Sequence, residues 1–360
     1  MITKFGLGEV KVNHKDKVII IYYNIFSEVY HNSQKIITNR GKKLISWLCT
    51  QENFFDYKIV IYQSSEPISN AGMPSSENEY LKKYLQIKDL LAKFNVWLIS
   101  DMNSDEFANW VKSNLGWNHL TYHFHFDFFL PTNQNYLINN IKERTLPFSK
   151  DFFTCNGNMS SKHRILIKKM WTELNLWDNS YWSFADSSNF GEKFLDIRLD
   201  LFAVWQYGLR KLNNCFLHIV TETIYENNFW DTNIRMDFMS KLGRALATPT
   251  PFIAYGNYGL IKHLKELGFK TFDNWWDESY DEIEDFTKRL QSIKKIVINL
   301  TALPMEDKIR IRNEMIPIFI HNRVILSQMI IKEKGKINLE IPNFFNNFVY
   351  ESIEYDDGKI

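Results

Sequence analysis

Between Asn214 and Asp285 two short apolar runs each stop at a polar or glycine residue, and each is followed by helix-forming sequence. The first runs from Phe216 to Val220 and stops at Glu222; a basic stretch follows, with Lys241 and Arg244 one helical turn apart. The second runs from Pro251 to Tyr255 and stops at Gly256. A helix opens just past it, with Leu260, Leu264 and Leu267 turned inward and Gly268 suited to the left-handed position beyond a helix end. Strand, helix, strand, glycine turn, helix is a βαβ pattern. Few folds accept it, because parallel strands need a long crossover and cover on both faces. In open α/β sheets, ligands bind outside the carboxyl ends of the strands. Glu222 and Gly256 stand at such ends.

The chain before this stretch alternates in the same way. KVIIIYYNIF, YKIVIYQ, NVWLISD and HLTYHFHFDFFL read as strands. RGKKLISWLCTQ, ENEYLKKYLQIKDLLAKF and DEFANWVKSNLG read as helices, the second with Tyr80, Tyr84, Ile87 and Leu91 three or four apart and the third ended by Gly116. The alternation predicts a parallel sheet between helices. Glu66, Asp101 and Asp127 follow three of these strands and are candidate general bases. His123, His125 and Asp127 share one strand face, which reads either as a metal set or as a polar wall. Pro131 to Lys150 is polar and turn-rich and reads as a passage between two halves. The expected domains are 1–140, 150–305, and a C-terminal helical segment with its tail, 306–360. In the last of these an apolar run is broken by Pro317, and residues from Glu340 to Ile360 read as a partly loose polar tail.

With 360 residues, 45% of them hydrophobic, the chain can bury two cores of ordinary size. A formal net charge of +1 supplies no global field toward nucleic acid or anionic membrane, although a local basic groove stays open. Three cysteines, Cys49, Cys155 and Cys215, without metal-like spacing read as reduced thiols, and the expected location is cytoplasmic. The start has no signal-peptide pattern, and no run of about 20 apolar residues predicts a membrane span. There is no GxxxxGK[ST] phosphate loop, no G-x-S-x-G elbow, and no G-x-G-x-x-G after a strand. These absences disfavour P-loop phosphoryl transfer, α/β-hydrolase chemistry and dinucleotide oxidoreduction.

Two stretches carry a family resemblance. One is Thr221-Glu222-Thr223, Lys241, Pro251-Phe252-Ile253, Gly256, Leu267-Gly268-Phe269, Thr271-Phe272 and Asp277 to Asp281. The other is Cys155-Asn156, His163-Arg164 and Tyr181-Trp182-Ser183-Phe184. Together they resemble nucleotide-sugar glycosyltransferases of the GT-B type, most of all the glycosyltransferase-like proteins of large phages and marine viruses. They are more distantly similar to fucosyltransferase and exostosin-type enzymes. The resemblance spans roughly residues 150 to 300 and departs from the family at Ser240, where an acid is the rule.

The resemblance implies two Rossmann-like domains facing a cleft. It implies a donor site at Asn156, His163, Arg164, Glu222, Lys241 and Gly256 in the second domain, with the acceptor held by the first. Glu222 would bind ribose hydroxyls. Arg164, beside a helix N-terminus, would clamp the diphosphate together with Lys241. With no D-x-D at a strand end, no metal and no separate cofactor are expected. The acceptor would be a glycan, a small molecule or, as in phages, hydroxymethylated DNA. Ser240 leaves open a catalytically silent sugar- or nucleotide-binding protein. The acids Asp277 to Asp281 also read as caps for the helix that starts there.

Overall fold

The computed structural model describes residues 10–22, 45–62, 85, 87–100, 105–122, 141–158, 162–185, 211–222, 240–345 and 351–352. The architecture is α/β: two largely parallel sheets with helices packed on them.

The first sheet begins with a hairpin. β1 (Val10–Asn13) pairs antiparallel with β2 (Val18–Tyr22). Asn13 Oδ1 accepts from the Asp16 amide at 3.0 Å, and Lys17 takes a positive φ of 52° to close the turn. β1 is an addition to the expected pattern, which starts at Lys17; four residues are too few to show an alternation. β3 (Lys58–Tyr62), β4 (Asn95–Ser100) and β5 (Asn118–Thr121) then join β2 in parallel and in chain order. α1 (Asp105–Leu115) connects the last two and ends at Gly116, φ 72°.

Strands added in one direction by right-handed crossovers send every connecting helix to the same face. That face is one core, in which Ile19, Ile21, Ile59, Ile61 and Leu98 meet Ile45, Leu48, Leu91 and Val111. Residues of opposite parity, Val18, Ile20, Val60, Tyr62 and Ile99, point the other way and would face water without further cover.

The second sheet is built differently. β6 (Lys150–Asn158), α2 (Lys162–Glu173) and β7 (Ser180–Ala185) form one unit. β8 (Cys215–Thr221), α3 (Ser240–Ala247) and β9 (Phe252–Tyr255) form the next. All four strands are parallel in the order β7-β6-β8-β9. The path moves one way from β6 to β7, then returns to the far side of β6, so the order reverses between β6 and β8. Consequently α2 and α3 lie against opposite faces. Phe152 meets Trp171 of α2 with ring centroids 6.4 Å apart, while its neighbour Phe153 lies under the guanidinium of Arg244 of α3 at 5.5 Å.

α4 (Leu260–Glu266) follows β9, with Leu260 and Leu264 buried and Gly268 at φ 90° beyond its end. Leu267 is only partly buried. Three helices complete the chain: α5 (Phe286–Thr301), α6 (Met305–Glu314) and α7 (Ile316–Glu340). Pro317 lies in the first turn of α7, where its missing N–H costs nothing. The passage residues 141–149 carry no regular structure and are tied to α6 by Arg312 Nη1 to Lys142 O, 2.6 Å, and Asn313 Nδ2 to Arg144 O, 2.9 Å. Lys308 of α6 and Asp151 of β6 form a buried ion pair at 2.9 Å. No helix among the described residues is long and apolar enough to cross a membrane.

α7 serves both sheets. Its first half enters the second core through Ile318, Phe319, Leu326 and Ile330, and Arg323 Nη2 donates to Ala247 O at 3.0 Å. Its end reaches the bare face of the first sheet, where Ile337, Ile341 and Phe344 pack against Val18, Ile20, Val60 and Tyr62. Asn343 Nδ2 donates to Asp16 Oδ2 at 3.0 Å, and β10 (Glu351–Ser352) pairs antiparallel with β1. Of the tail from Glu340 to Ile360, expected to be partly loose, residues 346–350 and 353–360 lie outside the described residues. Two apolar residues in that polar stretch are buried, because the first sheet has a face to fill.

Candidate functional site

β6 and β8 run side by side and both end at the point of reversal. Carried on from Phe153 against His218, the β6–β8 register puts Asn156 level with Thr221, which pairs with Tyr255 on β9. Asn156 is fully buried. Its Nδ2 donates to Thr154 Oγ1 at 3.1 Å, and that hydroxyl donates to Ile219 O at 3.0 Å. The pairing of β6 with β7 shifts between Asn156 and Asn158, an irregularity of the sort that re-aims side chains at the end of a strand.

His163 stands in the first turn of α2, fully buried, with Nε2 2.7 Å from the carbonyl of Glu222. A carbonyl only accepts, so Nε2 carries the hydrogen. Burial holds this imidazole neutral, lowering its pKa to about 3. The neighbouring charges of Arg164 and Lys241 push the same way, and the bond to Glu222 opposes them. His163 therefore joins the start of α2 to the end of β8 as a neutral donor.

Glu222 follows β8 directly. Its amide donates to Tyr255 O at 3.0 Å, extending the β8–β9 pairing, and its Oε1 accepts from Leu242 N at 2.8 Å. The carboxylate thus caps the first turn of α3, where exposed amides and the helix dipole favour an anion. Lys241 Nζ donates to Thr221 O at 2.7 Å. Gly256 lies against Glu222: a Cβ there would stand 3.2 Å from Glu222 Cβ and 2.8 Å from Leu260 Cδ2. Ser240 opens α3, and Glu222, just past β8, delivers a carboxylate to this helix start.

Of the six residues expected to share a site, His163, Glu222, Lys241 and Gly256 are joined by these contacts. Asn156 lies one strand away in register. Arg164, 4% exposed, is close enough to His163 to shift its titration. Glu66, Asp101 and Asp127, with His123 and His125, lie outside the described residues, beyond the ends of β3, β4 and β5. Among the described residues no three His, Cys, Asp or Glu side chains are grouped to hold a metal ion.

Other polar residues were not foreseen. His218 sits in the middle of β8, 1% exposed and in edge contact with Phe153 at 5.1 Å. Neither ring nitrogen has a hydrogen bond, and burial, with Arg244 and Lys241 adding, holds the ring neutral. A histidine inside an otherwise apolar central run was the available signal. Arg289 of α5, 1% exposed, donates to the carbonyls of Ile283, Glu284 and Gly256 and so braces the loop after β9.

The acids Asp277 to Asp281 cap in both directions: Asp277 Oδ1 accepts from Ser279 N at 2.8 Å, at the start of the helical turn Ser279–Glu282. Asp285 caps α5 through Lys288 N at 2.8 Å, whereas Asp281 reaches back to α4 and accepts from Ile261 N and Lys262 N, both at 3.0 Å. Glu278 accepts from Thr271 Oγ1 at 2.6 Å and Phe272 N at 2.9 Å and meets Lys265 at 3.0 Å.

Comparison with protein-family models, with curated proteins and with solved structures finds no match for this chain.

Proposed function

We propose that the protein is a GT-B-type glycosyltransferase, with two Rossmann-like domains facing a cleft, that moves a sugar from a nucleotide-sugar donor to a hydroxyl acceptor. The observation that carries the reading is convergence. Residues spread from His163 to Gly256, chosen by their pattern in the sequence, meet around Glu222 at the end of β8, beside the point where the strand order reverses. That is where open α/β sheets hold ligands.

In this reading the donor diphosphate lies at the start of α2, held by its free amides and by Arg164 and Lys241. Lys241 Nζ, which donates to Thr221 O, brings its charge to the end of β8. Glu222, whose Oε1 accepts from Leu242 N, would bind the ribose hydroxyls. A base from the first half, Glu66, Asp101 or Asp127, removes the acceptor proton as the hydroxyl oxygen bonds to the anomeric carbon. The bond from that carbon to the diphosphate breaks, and the leaving oxygen keeps the electron pair. Fixed cations and helix amides stabilise that charge, so the reaction needs no metal.

A thermal-shift screen across nucleoside diphosphates and nucleotide sugars tests the reading, since a ligand selective for the native state raises stability. Arg164→Ala and Lys241→Ala should each weaken donor binding about tenfold to a hundredfold, as a charged hydrogen bond contributes about 1.5–3 kcal/mol. Lys168→Ala, further along α2, should change little. A donor-hydrolysis assay then separates an enzyme from a silent binder. Unaltered donor affinity in both variants, or activity removed by a chelator and restored by a divalent ion, would defeat the assignment.

A further inference from the structure

The loop after β9 is tied down along its length yet leaves two side chains unused. Arg289 Nη1 donates to Gly256 O, Leu260 N to Asn257 O at 3.3 Å, and Gly259 N to Asp281 O at 3.1 Å. Gly259 takes a positive φ of 73°, which turns the chain into α4. Between these anchors stand Asn257 and Tyr258. Tyr258 is 39% exposed, although Gly256, Gly259 and Leu260 around it are buried. Asn257 Oδ1 is buried and accepts no hydrogen bond. A buried acceptor without a donor is costly to keep. A rigid loop that presents one next to an exposed ring is suited to a ligand, because little order has to be imposed on binding.

An amide offers donors and an acceptor side by side, the pattern that the edge of a nucleobase also carries. An aromatic ring stacks on the face of a base. Strand order says which part of a ligand would arrive here. α2 starts after β6, Glu222 follows β8 and Asn257 follows β9, and these strands are neighbours in the order β6-β8-β9. Adjacent strands lie about 4.8 Å apart, so the three ends span about 10 Å, of the order of one nucleotide. A nucleotide carries phosphate, ribose and base in that order. With the diphosphate at the start of α2 and the ribose at Glu222, the next strand end receives the base. The transferred sugar hangs from the far side of the diphosphate and is directed away from β9.

We infer that Asn257 and Tyr258 form the nucleobase subsite of the donor, Tyr258 stacking on the base and Asn257 reading its edge. This assignment, which rests on the donor reading above, divides the roles. Stacking tolerates any base, since every base has a π-face, whereas the edge contact discriminates. Calorimetric titration of the full chain with the common nucleoside diphosphates and with base-free ribose diphosphate reads both. The wild-type chain should bind its preferred nucleoside diphosphate about tenfold or more tightly than ribose diphosphate. Tyr258→Ala should weaken every nucleoside diphosphate by about tenfold and leave ribose diphosphate unchanged, and Tyr258→Phe should keep wild-type affinity. Asn257→Ala should narrow the spread among bases. The variants should melt with the wild-type chain, because neither side chain belongs to a core. Arg164→Ala should weaken nucleoside diphosphates and ribose diphosphate alike. That loss, with Tyr258→Ala and Asn257→Ala without effect, would overturn the base subsite and keep the donor site. Base-dependent binding that Arg164→Ala leaves undiminished would keep the subsite and overturn the phosphate contact. A Tyr258→Ala effect confined to nucleotide sugars would put the sugar on the ring and overturn the proposal, and a chain that binds no nucleotide would overturn both.

Discussion

The first sheet adds β2 to β5 in chain order, whereas the second doubles back between β6 and β8. The doubled-back sheet receives helices on both faces from its own crossovers, and the reversal leaves two strand ends side by side where polar residues collect. The one-directional sheet gains helices on one face only and borrows cover for the other from residues more than 200 positions away, Ile337 against Ile20 for example. Covering a sheet and building a site are separate problems, and strand order decides how each is solved.

The largest predicted effect breaks that comparison at the borrowed face. Deleting residues 336–360 removes Ile337, Ile341, Phe344 and β10 and leaves the second core intact. Three buried side chains at about 1.5–3 kcal/mol each exceed half of a typical domain's stability. Amides of β2 to β5 should lose hydrogen-exchange protection while those of β6 to β9 keep it. Equal loss in both sheets would show that they share one cooperative unit. Ile337→Ala should repeat the effect at about 2–4 kcal/mol.

Acid should strike the other way. His163 and His218 belong to the second sheet and its helix, and His119, lowered to about 4 by burial, belongs to the first. Each takes up a proton in the unfolded chain near pH 6.5 but resists it when folded. The stability this provides is therefore complete above pH 6.5. It falls on acidification, until about pH 3 for His163 and about pH 4 for His119. The slope is about 1.4 kcal/mol per pH unit per histidine, roughly 2 kcal/mol by pH 5 for His163 and for His119, and burial sets the same direction for His218. Denaturant titrations at pH 7 and pH 5 should show the greater loss in the second sheet, and His218→Phe should reduce the difference.

Two glycines sharpen the contrast between a crowded site and an open surface. Gly256→Ala should cost about 1–3 kcal/mol, because its Cβ meets Glu222 and Leu260. Gly335→Ala, in open space on α7, should stabilise the folded chain by about 0.5–1 kcal/mol in thermal denaturation. A comparably small effect is expected at Glu222. Replacement by Ala should cost about 1 kcal/mol through the lost cap on α3, while Gln, which keeps an acceptor for Leu242 N, should cost less.

Much of this was legible in the sequence. β2 to β5, β8 and β9 appear as apolar runs, and Glu222 and Gly256 stand where such runs stop, whereas β6, β7 and Asn156 come only from the family resemblance. Strand order was not legible, since nothing local distinguishes a chain that continues from one that doubles back. β1 and β10 are too short to show a period. The cap on α4 comes from Asp281, twenty residues after the Ile261 amide it accepts from, so spacing rules that look one turn away assign it to the wrong helix. Ile341 and Phe344 read as part of a polar tail because their burial depends on a sheet formed near the other end of the chain.

That last dependence also sets a clock. At about 5–20 residues per second, a ribosome that has made β5 needs on the order of ten to forty-five seconds more to reach Phe344. Throughout that interval Val18, Ile20, Val60 and Tyr62 lack the helix end that buries them, and β1 lacks its β10 neighbour. The face of the sheet made first is thus covered last.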